Sequence, residues 1–175
     1  VIPPFAIVTG ASRGIGRHVV VGLRARGYRV AALARSRSDL DALAVACGCE
    51  AVVVDVADGL ALKGAVQSLL ARHGPCDVLV NNAGYGLRGA MEEVDVAAFR
   101  QELEVNLVAP VVLGQLVLPG MRSRQRGTIV QVGSVAGHVS TPLSGAYAAT
   151  KFALRAATDA LRVEVAPFGV RVVWV

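Results

Sequence analysis

Short apolar runs alternate along this chain with longer stretches in which apolar positions recur at helical spacing. Phe5 to Val8 reads as a buried strand, followed by a glycine-rich turn and a helix over Gly14 to Arg26 that Gly27 stops. Arg29 to Ala34 is a second strand, Asp39 to Ala46 a short helix, and Ala51 to Val54 a third strand. Asp58 is placed to cap a helix that runs to His73, where Gly74-Pro75 closes it. Asp77 to Val80 is a fourth strand, Asp95 to Leu118 a long helix, and Thr128 to Val132 a fifth strand. Ser144 is placed to cap another long helix ending near Pro167, and Val170 to Val175 is a sixth strand.

Strands apolar on both sides and separated by helices imply a parallel sheet covered on two faces. Right-handed crossovers then give a doubly wound, Rossmann-like α/β sheet of order 3-2-1-4-5-6. No linker, repeat or low-complexity segment divides the chain, so residues 1–175 read as one domain.

Composition narrows the function classes. With 54% hydrophobic and 18% charged residues the chain is not a disordered one. Val105 to Leu118, its most apolar stretch, is interrupted by Asn106, Gly114 and Gln115 and reads as too short and too polar for a membrane span. No signal segment opens the sequence, and a cytoplasmic protein is expected. The net charge of +5 comes from an excess of arginine, 16 against only two lysines, Lys63 and Lys151. Arg122, Arg124 and Arg126 fall where a helix should end, and no aromatic residue interleaves them. They read as a solvated turn rather than a nucleic-acid patch. Cys47, Cys49 and Cys76 lack the paired spacing of a zinc site, and the histidines are far apart, so no metal is expected.

The turn after the first strand is Thr9-Gly10-Ala11-Ser12-Arg13-Gly14-Ile15-Gly16. Glycines let a backbone approach a pyrophosphate, and the helix that follows offers free N–H groups. A carboxylate at the end of the second strand would bind a ribose 2′-hydroxyl and repel a 2′-phosphate. This chain has Ala34 and then Arg35 there, with Arg37 near and no acid until Asp39. Arg13 approaches the same place from the glycine turn. Two guanidiniums suit a phosphate, so NADP(H) is expected in preference to NAD(H).

Tyr147 and Lys151 stand four apart in a predicted helix and share a face. A free tyrosine has a pKa of about 10, and an ammonium one turn away favours its phenolate, which suits proton transfer near neutrality. A polar Asn106 inside an apolar stretch needs a polar partner.

Taken in order, these features resemble the short-chain dehydrogenase/reductase family over nearly the whole chain. They are Thr9-Gly10-x3-Gly14-x-Gly16, Asp55-Val56, Asn81-Asn82-Ala83-Gly84, Asn106, Ser134 and Tyr147-x3-Lys151. The resemblance implies a carbonyl and an alcohol interconverted by hydride transfer, with Tyr147 as general acid and base. It implies that Ser134 binds the substrate oxygen and that Lys151 activates Tyr147 and binds the nicotinamide ribose. Asn106 would hold a water linking Lys151 to solvent, a role compatible with bonding the backbone at a helix distortion. Gly10, Ser12, Arg13, Gly14, Ile15 and Gly16 would cradle the cofactor, with Arg35 at its 2′-phosphate. Asp55 and Val56 would meet the adenine, and Asn82, Ala83 and Gly84 the adenosine ribose. By weaker analogy the substrate is a lipophilic ketone, aldehyde or secondary alcohol. The two long helices would pair between subunits in a homodimer or homotetramer.

Members of the family continue past the sixth strand with a Pro-Gly turn, a substrate-covering segment and a final strand. None of these is in this sequence, and further residues are expected in the full protein. A non-catalytic nicotinamide-nucleotide-binding regulator is the alternative function, and the intact Ser134, Tyr147 and Lys151 speak against it. A sugar-nucleotide epimerase is a second rival, disfavoured by the glycine spacing. His138 reads as a bystander, His18 as partly packed, and Tyr85 as a candidate substrate contact.

Overall fold

The computed structural model describes residues 2–175, and its first strand, β1 (Phe5–Thr9), is buried along its whole length. Its side chains divide with the period of two of a strand. Phe5 and Ile7 join one apolar cluster, and Ala6 and Val8 join another on the opposite face. β2 (Arg29–Ala34) divides in the same way, with Ala31 and Leu33 on one side and Val30 and Ala32 on the other. A sheet apolar on both faces needs helices on both, and the connections supply them.

β3 (Glu50–Val53), β4 (Val78–Asn81), β5 (Gly127–Gln131) and β6 (Val170–Trp174) complete a parallel sheet of order β3-β2-β1-β4-β5-β6. Fold class and strand order are those the hydrophobic pattern predicts, with strand limits displaced by about one residue. α1 (Gly14–Ala25) and α2 (Arg37–Cys47) bury Val20, Leu40 and Leu43 against one face. α3 (Gly59–His73) and the helix from Val96 to Ser123 bury Leu62, Val66, Leu69, Leu113, Val117 and Met121 against the other. α6 (Gly145–Val165) packs on β6 and on the middle of that long helix.

The caps show which local signals act. Asp58 Oδ1 accepts from Ala61 N at 3.0 Å, as its position before α3 predicts. Ser144 sits at the start of α6 but does not cap it. Its hydroxyl instead donates to Thr141 O at 2.9 Å, closing the turn that leads into the helix. α2 begins two residues earlier than the pattern suggests, because Ser36 Oγ accepts from Asp39 N.

The long helix differs most from expectation. Asp95 starts it, with Oδ1 accepting from Ala97 N at 3.0 Å. It is not uniform: α4 (Val96–Leu103) leads into a π turn over Glu104–Val108, and α5 (Ala109–Ser123) follows. The pattern ends it at Leu118, but the helix continues through Pro119 to Ser123. Pro119 and Gln115 are both exposed, so the carbonyl that loses its donor lies on the solvent side. At 28 residues the whole helix is long and apolar enough to cross a membrane, contrary to the reading of its apolar stretch as too short and polar. Its buried stripe from Val105 to Met121 lies instead in the core of the domain.

Of the arginines at the end of this helix, Arg122 and Arg126 are exposed, as expected of a solvated turn, whereas Arg124 is closely paired. Arg124 donates to Asp77 Oδ1 and to Cys76 O, both at 2.7 Å, and Asp77 Oδ2 accepts from Phe5 N. Arg122 lies over the Phe168 ring, 4.7 Å from its centre. The run therefore ties α5 to the beginnings of β1 and β4, which is a structural use. His18 is exposed, not packed, and bonds Gly14 O through Nδ1 at 2.8 Å.

Candidate active site at the carboxyl ends of the strands

At the carboxyl ends of β1 and β4, where the order of strands reverses, two backbone turns meet. Thr9 Oγ1 accepts from Asn82 N at 3.1 Å and from Ala83 N at 3.0 Å. Asn82 Nδ2 donates back to Thr9 O at 2.9 Å and Gly10 O at 3.1 Å. The turns lie so close that a Cβ on Gly10, whose φ is +62°, would fall 2.8 Å from Ala83 Cα. A side chain on Gly16 would collide with Gly10 O. Both glycines are thus required by packing, Gly10 at the wall of the cleft and Gly16 beneath it.

Gly14 is different. With φ at +56°, it has nothing within 4 Å of where a Cβ would be, and it faces open space at the start of α1. Arg13 occupies the cap position without a side-chain cap bond, and no acid stands in the first turn. The first N–H groups of α1 are therefore left for an anionic ligand. Ser12, Arg13, Ile15 and Arg35 line the adjoining cleft of about 580 Å³, a size suited to a cofactor or small ligand. Arg35 lies 3.9 Å from Asp55 Oδ2, and Asp55 Oδ1 accepts from Ala57 N at 3.0 Å. Val56, Asn82, Ala83 and Gly84 continue the lining to Tyr147 and Lys151. Cradle and cations together fit a dinucleotide.

At the far end the π turn places Asn106, which is buried. Its Oδ1 accepts from Tyr85 N at 3.1 Å, and its Nδ2 donates to Tyr85 O at 2.8 Å and Thr150 Oγ1 at 3.0 Å. Thr150 Oγ1 in turn donates to Tyr147 O at 2.8 Å. Asn106 thus ties the turn after β4 to the Tyr147 helix, and its bonds to the backbone occur where the helix is distorted. A Cβ on Gly84 would meet Asn106 Oδ1 at 3.0 Å and Lys151 Nζ at 3.7 Å, so only glycine leaves those two groups facing one space.

Lys151 is 5% exposed, and its Nζ donates to Val132 O at 3.0 Å. The ammonium lies 5.8 Å from the centre of the Tyr147 ring, as one helical turn predicts. Burial lowers its pKa from the ordinary lysine value, with the Glu102 carboxyl acting the other way. Ser134 Oγ accepts from Ala136 N at 3.1 Å and caps the short helical turn Val135–Gly137. That bond uses an oxygen lone pair and leaves the hydroxyl proton available.

Not every residue singled out from the sequence lines the cleft. Gly16 and Asn106 lie beneath it, Gly14 is at its outer edge, and Ser134 follows Gly133 at its rim. Tyr85 lines it and is 39% exposed, in keeping with a ligand contact. His138 is exposed and bonded to Arg155 at 3.0 Å, and does not line the cleft. Sequence reasoning placed Thr9 in the glycine turn without a role of its own, and passed over Thr150 and Glu102. A buried acid one turn before Asn106 was the available signal for Glu102, hidden by its acidic neighbour Glu104. No group of three or more His, Cys, Asp or Glu that would hold a metal occurs among the described residues.

A model of the short chain dehydrogenase family matches residues 4–175. A probable short-chain type dehydrogenase/reductase of Helicobacter pylori is 41% identical over 167 residues, covering 95% of this chain and 61% of its own. L-xylulose reductase of Mesocricetus auratus is 41% identical over 95% of this chain and 68% of its own. The chain thus spans about two thirds of the length of these relatives. Among solved structures, a short-chain dehydrogenase from Streptomyces avermitilis aligns with a TM-score of 0.95 at 39% identity, covering 98% of this chain and 64% of that one. A metagenomic short-chain oxidoreductase in complex with NADP aligns at 0.92 and 36% identity, covering 98% and 80%. With the motifs in order, the sheet order and the Tyr147–Lys151 pair at one cleft, the chain belongs to the short-chain dehydrogenase/reductase family.

Proposed function

We propose that this chain is the cofactor-binding and catalytic part of an NADP(H)-dependent oxidoreductase that interconverts a lipophilic carbonyl compound and its alcohol. The observation that carries the reading is a buried ammonium, Lys151, one turn from Tyr147 at the end of a dinucleotide-sized cleft. A nicotinamide nucleotide bound in that cleft supplies or accepts the hydride. Tyr147 gives its hydroxyl proton to the carbonyl oxygen during reduction and recovers it during oxidation. The Lys151 charge stabilises the phenolate this leaves, and its remaining protons bind the nicotinamide ribose. Ser134, its lone pair committed to Ala136 N, donates its own proton to the substrate oxygen. Asn106 holds the turn at Tyr85 and orders a water that links Lys151 to solvent, the route by which the proton Tyr147 gives up is replaced.

Arg13 and Arg35 flank the adenosine end and favour a 2′-phosphate, and the solved NADP complex of a relative agrees in kind. Asp55 and Val56 flank the adenine. The cysteines are free, as in a reducing compartment such as the cytoplasm. Val108 and Val111 on the long helix and Phe152 and Val163 on α6 are exposed apolar residues, which supports a homodimer or homotetramer. A monomeric mass in light scattering of the full-length protein at micromolar concentration would contradict that assembly.

NADPH absorbance with a panel of ketones and aldehydes tests the activity. Tyr147→Phe should lower turnover by about 100-fold or more while NADPH binding persists, and full activity in that variant would remove the general-acid role. Arg13→Ala with Arg35→Ala should lower kcat/KM for NADPH about 10- to 100-fold and leave the NADH value nearly unchanged, from the lost charged hydrogen bonds. An equal loss with both cofactors would refute the 2′-phosphate assignment.

The depressed Lys151 also gives stability a pH dependence with a definite sign. Between its lowered folded pKa and the unfolded value of about 10.4, the unfolded chain holds a proton that the fold has released, so stability rises with pH there. Lys151→Met removes this contribution. Across that window wild type should gain on the variant in urea midpoint as pH rises; parallel profiles would show that burial does not act on this ammonium.

A further inference from the structure

Glu102 is fully buried, at 0% exposure, and takes no part in the chemistry above. It lies one turn before Asn106, on the same side of the long helix. Its Oε1 accepts from Leu87 N at 3.0 Å, while Oε2 has no hydrogen-bond partner among the described residues. Asn106 grips the same loop two residues earlier, at both backbone groups of Tyr85. Between the two grips, Gly86 lies against the Tyr147 ring, where a Cβ would come within 3.0 Å of Cγ. Further along, Gly89 N donates to Leu143 O at 3.0 Å, and Gly145 leaves room for Met91. Residues 85–91 are therefore a strap, pinned by two side chains of one helix and laid across Tyr147 and the turn before α6.

A carboxyl group inside a protein costs free energy that an apolar side chain of the same volume avoids. Packing alone does not account for an acid at this position. The Leu87 N–H does, because this half-buried loop donor lies outside any strand and takes Glu102 as its acceptor. Burial raises the pKa of Glu102, while the Leu87 N–H and the Lys151 charge pull it down.

We propose that Glu102 is a positioning residue, which holds Leu87 so that the strap, through Gly86, fixes the Tyr147 ring beside Lys151. This rests on the reading of Tyr147 as the group that transfers the proton.

The full-length protein labelled with fluorotyrosine reports the ring directly, its Tyr147 fluorine resonance assigned by its loss in Tyr147→Phe. Glu102→Gln keeps an acceptor oxygen and should leave the resonance in place. Glu102→Met, similar in volume but without the acceptor, should shift or broaden it while NADPH affinity stays unchanged. Gly86→Ala should displace it with Glu102 intact. An unmoved resonance in folded Glu102→Met, or equal displacement in the Gln and Met variants, overturns the inference. Should Glu102→Met not fold, Gly86→Ala decides, and an unmoved resonance there overturns it as well. Undiminished carbonyl turnover in Tyr147→Phe would break the proton-transfer reading without touching these spectra, so the two fail separately.

Discussion

The constraint on which the site depends is the contact between the turns after β1 and β4. At the point where strand order reverses, the two backbones approach until no side chain fits between Gly10 and Ala83. Four hydrogen bonds through Thr9 and Asn82 hold them there. The seam decides three things at once. It aims the N-terminus of α1 into the cleft, it opens the crevice that parallel sheets leave at such a point, and it sets where the chain departs towards Tyr85. A single Cβ at Gly10 would alter all three, which is why one glycine there is worth more to the site than any exposed cation along its rim.

On the other side of the cleft, a buried ammonium replaces a glycine-lined turn as the organising group. Lys151 is withdrawn from water, and Val132 O is its hydrogen-bond partner in the protein. Such a charge is costly in place and correspondingly effective on whatever negative charge forms next to it. The structure around it is arranged to leave room: Gly84 has no side chain in front of it, and Asn106 faces the same space. Fold stability and reactivity are set against each other at this residue, as is common where a protein places charge for chemistry.

How much of this was legible beforehand depends on what kind of force determined each part. Strand order followed from apolar runs on both sides of each strand, because burial on two faces leaves few alternatives. Tyr147 and Lys151 were legible because helix geometry alone brings residues four apart together. The π turn was not. It arises because Asn106 bonds the backbone of Tyr85, 21 positions away, and no local periodicity encodes a partner that distant. Ser144 showed the reverse error: a good capping residue was drawn off by Thr141, a competitor equally close in sequence. Arg124 was misjudged because Asp77, half-buried at the foot of β4, is invisible as an ion-pair partner until the sheet is assembled. Glu102 escaped notice because sequence patterns record which side chains are polar and not which backbone donors lack acceptors.

Trp174 has a consequence for how strain travels through the sheet. Its ring fills the room that a side chain would need at both Gly133 and Gly137, and Gly133 N donates to Val175 O at 2.7 Å. β6 therefore does more than extend the sheet. Its indole serves as a spacer under the loop that carries Ser134, so the packing of β6 bears on where that hydroxyl stands. A displacement of Trp174 would reach Ser134 through the two glycines on either side of it. The placing of one indole thus becomes a setting of the hydroxyl's aim.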